Sequence, residues 1–294
     1  MLWQQVSNGL TLGGIYSIVA LGYTIVFGVL QILNMAHGEI FMFSAFIGLL
    51  LVTHFQAPLV IALFAAAATG AVLGFLLDRF ALRPLRRKAG ASHLAPLIST
   101  IGASIILENL ALNLFGPETR PFPVALADIH FQVGAVTIYL TQLLIFFISL
   151  VLMIGLSLWL GRTKAGTALR ATAESMETAS LMGVNTQKMI SLTLVIASAM
   201  GGVAGVLVGM AFNAVSPQMG LAMGLKGLAI IILGGMGSLR GAIAGGFILG
   251  LTEVMSVAYG ASGYRDAIAF LMIIVILLAR PQGIFGQSVA SERR

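Results

Sequence analysis

Long apolar runs separated by short polar breaks dominate the chain. They cover Val6–Leu30, His37–Val52, Leu59–Leu77, Leu94–Phe115, Leu140–Leu160, Ile190–Ala211, Leu225–Met236, Ala242–Tyr259 and Arg265–Ala279. Most have the roughly 15–25 residues that a helix rising about 1.5 Å per residue needs to cross about 30 Å of hydrocarbon. Apolar and polar positions do not alternate within them, which excludes the strand pattern of a membrane barrel. The pattern predicts an all-α polytopic integral membrane helix bundle of about 8–9 spans. His37–Val52 has a short apolar core, and Leu225–Met236 is too short to cross alone. Each is read as a full span or as a broken or re-entrant helix, which a membrane tolerates where protein buries it or it lines a cavity.

Composition supports the same class. The 294 residues are 59% hydrophobic and only 9% charged, against about 25% charged in a soluble domain, so polar surface is too scarce to cover a soluble globule. Cysteine is absent, which removes disulfides, thiolate metal sites and cysteine nucleophiles. The net charge of +6 is explained by position rather than by nucleic acid. Arg79, Arg83, Arg86, Arg87 and Lys88 fill one loop, and Arg162, Lys164, Arg170 and Lys188 flank another. Arg240 lies in a short turn, and Arg280, Arg293 and Arg294 are in the tail. If all nine runs cross, only Arg120, Lys226 and Arg265 remain for the opposite side. The excess marks the cytoplasmic face, which puts the N-terminus outside and the C-terminus inside. The first run is too long for a signal peptide and lacks a basic start, so it is read as a retained span. The sizeable loops, Gly116–Ile138 outside and Gly161–Met189 inside, are too small for a catalytic domain, and 1–294 is read as a single transmembrane domain.

The glycines, 35 in all, are placed rather than scattered. Gly9, Gly13, Ser17, Ala20 and Thr24 share one helical face, as do Ser198, Gly202, Gly205 and Gly209, and Gly246 and Gly250 lead to Glu253 on another. Such stripes predict close helix packing, because apolar side chains gain little from one another in lipid. Gly234–Gly241 is glycine-rich, but no Gly-Lys pair completes a Walker A loop, so a helix-breaking turn is predicted. Intramembrane carboxylates are costly and face the bundle interior or water. Thr100, Ser104 and Glu108, with Asn109 beside them, make a polar stripe that reads equally as a translocation path or as an interhelical staple, and Glu253 is a further path candidate. Glu39, next to His37, sits where a helix start favours a carboxylate. The histidines are dispersed and no hydrolase or metalloprotease motif occurs, so no catalytic residue, metal site or cofactor is predicted.

The inner loop, Gly166–Asn185, is rich in helix formers and carries an apolar stripe through Leu169, Ala173, Met176 and Ser180. It predicts a short amphipathic cytoplasmic helix ended by Gly183. Within it Glu177-x-Ala179-x-x-x-Gly183 is similar to the E-A-A-x-x-x-G signature of ABC-importer permeases, with Thr178 in place of the second alanine. The stretch Asn8–Gly28, the segment Asn34–Met–Ala–His–Gly–Glu39, Gly166–Thr–Ala–Leu–Arg–Ala171 and Gly234–Gly246 resemble the branched-chain amino-acid ABC-transporter permease family, closest to its high-affinity Leu/Ile/Val subunits of the H type.

That resemblance implies a bacterial inner-membrane permease moving branched-chain amino acids or related small solutes by alternating access. It also implies a second related permease, two cytoplasmic ATPases and a periplasmic solute-binding protein as partners, in a lipid bilayer. The ATPase-coupling loop is then about 161–189, with Arg170, Glu174, Glu177, Ala179 and Gly183 as its candidate contacts. The alternative is a secondary transporter that uses Glu108 or Glu253 to couple to an ion gradient. An embedded enzyme has no catalytic constellation to support it.

Overall fold

In the computed structural model every predicted apolar run is helical. The described residues are 2–86, 94–123, 129–133, 136–260 and 262–286; the basic positions Arg87, Lys88, Arg293 and Arg294, and His93, lie outside them. The chain forms α1 (Leu2–Leu30), α2 (His37–Thr53) and α3 (Leu59–Leu76). The last runs on through a π-helical stretch, Leu77–Leu82, into α4 (Arg83–Arg86). Then come α5 (Ala95–Phe115), strands β1 (His130–Val133) and β2 (Val136–Tyr139), α6 (Leu140–Arg162), α7 (Lys164–Glu174) and α8 (Met176–Leu181). The chain continues with α9 (Thr186–Phe212), α10 (Met219–Gly234), α11 (Leu239–Ala258) and α12 (Arg265–Ala279). Among the described residues, 6 helices are long and apolar enough to cross a membrane: α1, the α3–α4 run, α5, α6, α9 and α11. The apolar helices α2, α10 and α12 are shorter. The protein is an all-α polytopic membrane bundle.

Three local departures from the sequence expectation matter. The outer loop contains an antiparallel hairpin that pairs His130 with Tyr139 and Val133 with Val136. The inner loop is two helices, not one. And α10 begins at Met219, six residues ahead of the predicted start at Leu225, which places Lys226 about two turns inside a helix instead of at its outer edge.

The chain divides into two compact units built from interleaved stretches: 1–24, 125–153 and 226–294 in one, 25–124 and 154–225 in the other. In the first, α1 and α11 pack backbone to backbone through their glycines. A Cβ on Gly13 would lie 2.8 Å from the Phe247 Cα, one on Gly250 2.6 Å from the Gly13 Cα, and one on Gly246 2.7 Å from the Ser17 Cα. The Ser17 hydroxyl donates to Gly13 O and across the seam to Ile243 O, at 2.7 and 2.9 Å. Gly234–Gly241 is the predicted turn. Gly235 and Gly237 take φ of +102° and +84° there, and the Ser238 side chain caps α11 at Gly241 N. The carbonyls ending α10 are met from the C-terminal segment, by Ile284 N on Leu233 O and Phe285 N on Gly234 O, both at 2.9 Å.

In the second unit α2, α3 and α9 form the core. The predicted α9 seam is its contact surface: Gly202 abuts the Ala66 carbonyl, Gly205 the Phe41 carbonyl, and Ser198 fills the space over Gly70 and Gly74. Phe46 stacks on Phe115 with ring centroids 4.5 Å apart, fixing the end of α5 against α2. Much of the remaining surface of α3 and α5 is apolar and exposed, as at Phe64, Val72, Ile98 and Ile106, which suits hydrocarbon.

Candidate functional site

The inner loop gains its shape from three caps. Thr163 Oγ1 accepts from Gly166 N at 3.0 Å and starts α7. Gly166 fits tightly there, since a Cβ would lie 2.6 Å from the Leu160 Cα. Ser175 is extended, ends α7, and caps α8 by accepting from Thr178 N at 3.2 Å. This serine divides what the apolar stripe predicted as one helix: Leu169 is buried and Ala173 partly so, but Met176 and Ser180 are exposed. After α8, Val184 N returns to Ala179 O and Gly183 N to Ser180 O, both at 3.0 Å, with Gly183 at φ +84°. These are the paired bonds of a Schellman C-cap, whose left-handed residue glycine adopts without penalty. The motif thus has a physical reading. Ala179 is the buried foot of α8, Gly183 ends it, and Glu177 lies in its first turn, where a carboxylate complements the helix dipole. Arg170, Glu174 and Glu177 are exposed, and Leu181 and Met182 stand 81% exposed at the tip.

A second cluster lies in the unit containing α11. Glu253, on the glycine face as expected, is fully buried. Tyr16 OH donates to its Oε2 at 2.6 Å, and Lys226 Nζ donates to its Oε1 at 2.7 Å. Lys226 also donates to Tyr16 OH at 3.2 Å and to Asp266 Oδ1 at 2.8 Å. All three ammonium hydrogens therefore have acceptors. The sequence pattern counts Lys226 with the few basic residues of the outer side, at the edge of the run Leu225–Met236, and does not single out Asp266. The available signal was a cation beside an apolar run with a carboxylate in the next span.

In the other unit the predicted stripe on α5 separates. Thr100 is fully buried; its hydroxyl accepts from Met35 N at 3.3 Å and donates to Leu97 O at 2.9 Å. Ser104 and Glu108 lie further along the same helix and are half-buried. Asn109 is exposed on a different side, its amide donating to Ile105 O of its own helix at 2.8 Å. Glu39 is in the first turn of α2, as predicted, yet its carboxyl packs against Gly220 in the first turn of α10. Among the described residues no group of three or more His, Asp or Glu is placed to hold a metal ion.

These features match a known group of proteins. Residues 5–277 fit the model of the family described as branched-chain amino acid transport system / permease component. The chain is 37% identical to the high-affinity branched-chain amino acid transport system permease protein BraD of Pseudomonas aeruginosa, covering 97% of this chain and 95% of that one. It is 36% identical to LivH of Escherichia coli over the same shares. It is 27% identical to a probable branched-chain amino acid transport permease protein LivH of Methanocaldococcus jannaschii, over 92% and 88%. Among solved structures, PsaBC from Streptococcus pneumoniae superposes with a TM-score of 0.49 at 15% identity over 95% of this chain and 92% of that one, a likeness too remote to argue from. With nearly its whole length matched, the chain belongs to the branched-chain amino acid transport permease family.

Proposed function

We propose that this chain is the membrane-embedded permease subunit of an ATP-driven importer, moving leucine, isoleucine or valine across the bacterial inner membrane by alternating access. The observation that carries this reading is the α7–α8 loop in a chain of this family. Its sequence has no nucleotide-binding loop, so energy enters from a partner. A short capped helix with an exposed apolar tip, Leu181 and Met182, above a buried foot, Ala179, is the kind of element that seats in a groove of a neighbouring protein. In this reading two ATPase subunits grip Arg170, Glu174, Glu177 and the α8 tip from the cytoplasm. A second related permease completes the path, and a periplasmic binding protein delivers substrate. The N-terminus is periplasmic, the C-terminus is cytoplasmic, and the chain itself catalyses no reaction.

Thr100, Ser104, Glu108 and Asn109 remain path candidates on this reading, and Glu253 takes part through the network around Lys226. A gradient-driven carrier is the weaker reading. It needs a carboxylate that exchanges an ion, and Glu253 is already held by Lys226 and Tyr16.

The test is ATP-driven leucine uptake in proteoliposomes containing the full assembly. Glu177→Lys and Gly183→Trp are expected to leave membrane insertion intact and to uncouple ATP hydrolysis from uptake. Unchanged uptake in both variants contradicts the docking role.

A further inference from the structure

The cluster around Lys226 has one member unlike the rest. Tyr16, Lys226 and Glu253 are buried, whereas the Asp266 side chain is 67% exposed. Lys226 is already balanced by Glu253, so Asp266 adds a carboxylate beyond what the buried ammonium needs. The positions along the helices show which way the cluster opens. Asp266 is in the first turn of α12. At about 1.5 Å per residue, Glu253 lies roughly 8 Å from the end of α11 and Lys226 roughly 10 Å from the start of α10. Tyr259 and Tyr264, which bracket the α11–α12 turn, are 74% and 71% exposed, as aromatic residues are at a membrane–water boundary. Asp266 therefore stands at the aqueous end, and Lys226 lies behind it.

We propose that the Lys226–Asp266 pair is a displaceable contact into which a zwitterionic α-amino acid inserts, its carboxylate on Lys226 Nζ and its ammonium on Asp266. This deepens, and rests on, the reading of the chain as an amino-acid permease. The exchange conserves charge: the pair gives up one attraction and gains two with a ligand that is itself neutral overall. Lys226 keeps three acceptors, since Glu253 and Tyr16 stay in place and the ligand carboxylate replaces Asp266. A ligand lacking its carboxylate leaves Lys226 one acceptor short, and one lacking its ammonium leaves Asp266 without a cation, which is costly wherever water is scarce. Glu253 and Tyr16 act as positioning residues that aim the ammonium, and Asp266 and Lys226 read the two ends of the amino acid.

The experiment measures equilibrium binding of radiolabelled leucine to the purified permease–ATPase assembly without its binding protein. Leucinamide, which has no carboxylate, and 4-methylpentanoate, which has no ammonium, serve as competitors. The wild type is expected to bind leucine more tightly than either analogue. Asp266→Asn is expected to weaken leucine binding by roughly tenfold or more, the loss of one charge-assisted contact, and to abolish competition by leucinamide while 4-methylpentanoate still competes. Asp266→Glu restores leucine binding. An Asp266→Asn protein that binds leucine like the wild type, or that loses all three ligands in parallel, overturns the proposal. So does a wild type that binds 4-methylpentanoate as tightly as leucine, a result that needs no variant to fold. Failure of the underlying reading looks different: the full assembly, binding protein included, then takes up no leucine in proteoliposomes on ATP addition, and the substrate site falls with it.

Discussion

Burying a lysine in hydrocarbon is costly unless carboxylates meet it, and Lys226 has Glu253 on one side and Asp266 on the other. Removing one partner of such a buried pair leaves an uncompensated charge. Lys226→Met is therefore expected to destabilise the protein by about 3–5 kcal/mol, seen as a large drop in thermal unfolding temperature in detergent. The double variant Lys226→Met with Glu253→Gln is expected to recover most of that loss, because both charges are gone together. A single variant as stable as the wild type contradicts the ion-pair account. At this scale the sequence was half legible. Glu253 was placed by the spacing of Gly246 and Gly250, which fixes a helical face. Lys226 was not, because its helix borrows Met219–Gly224 from a stretch that reads as a loop, and Asp266 was not, because only the fold brings the start of α12 to α10.

Between elements, packing is set by what a backbone can approach. A Cβ on Gly202 would lie 2.8 Å from the Ala66 backbone carbon, whereas one on Gly155 would meet nothing within 4 Å. Gly202→Val is expected to push α9 off α3 and to abolish a monodisperse peak on size-exclusion chromatography in detergent, while Gly155→Ala leaves the profile unchanged. Equal profiles would remove the close-approach argument. The stripes on α1, α9 and α11 were readable beforehand because small residues at spacings of three and four mark a seam directly. The break at Ser175 was not: the apolar stripe runs through it in register, and only the cap on Thr178 N shows that two helices meet there. The hairpin escaped notice because its strands are four residues each, too short for a period of two to stand out. At the end of α8 the motif was legible in type and the structure supplies its cause. Gly183 has open space around it but φ of +84°, so Gly183→Ala is expected to cost about 1 kcal/mol through backbone strain alone. It should therefore perturb coupling far less than Gly183→Trp, in ATPase and uptake assays run side by side.

At the scale of the whole molecule, long apolar runs without alternation fixed the fold class, because only helices and closed barrels satisfy their backbone groups in lipid and a barrel strand alternates. The division into two compact units was not visible, since each is assembled from separated stretches and the boundary falls inside α1, α6 and α10. No linker marks it. The central claim is that this bundle carries a path but no engine, and receives its work through the α7–α8 loop. Leucine accumulation in proteoliposomes tests it most directly, with the chain reconstituted alone and then together with its partner permease, ATPases and binding protein. The account expects accumulation only in the full assembly and only with ATP, whatever proton or sodium gradient is imposed. Concentrative uptake by the chain alone under such a gradient would contradict it.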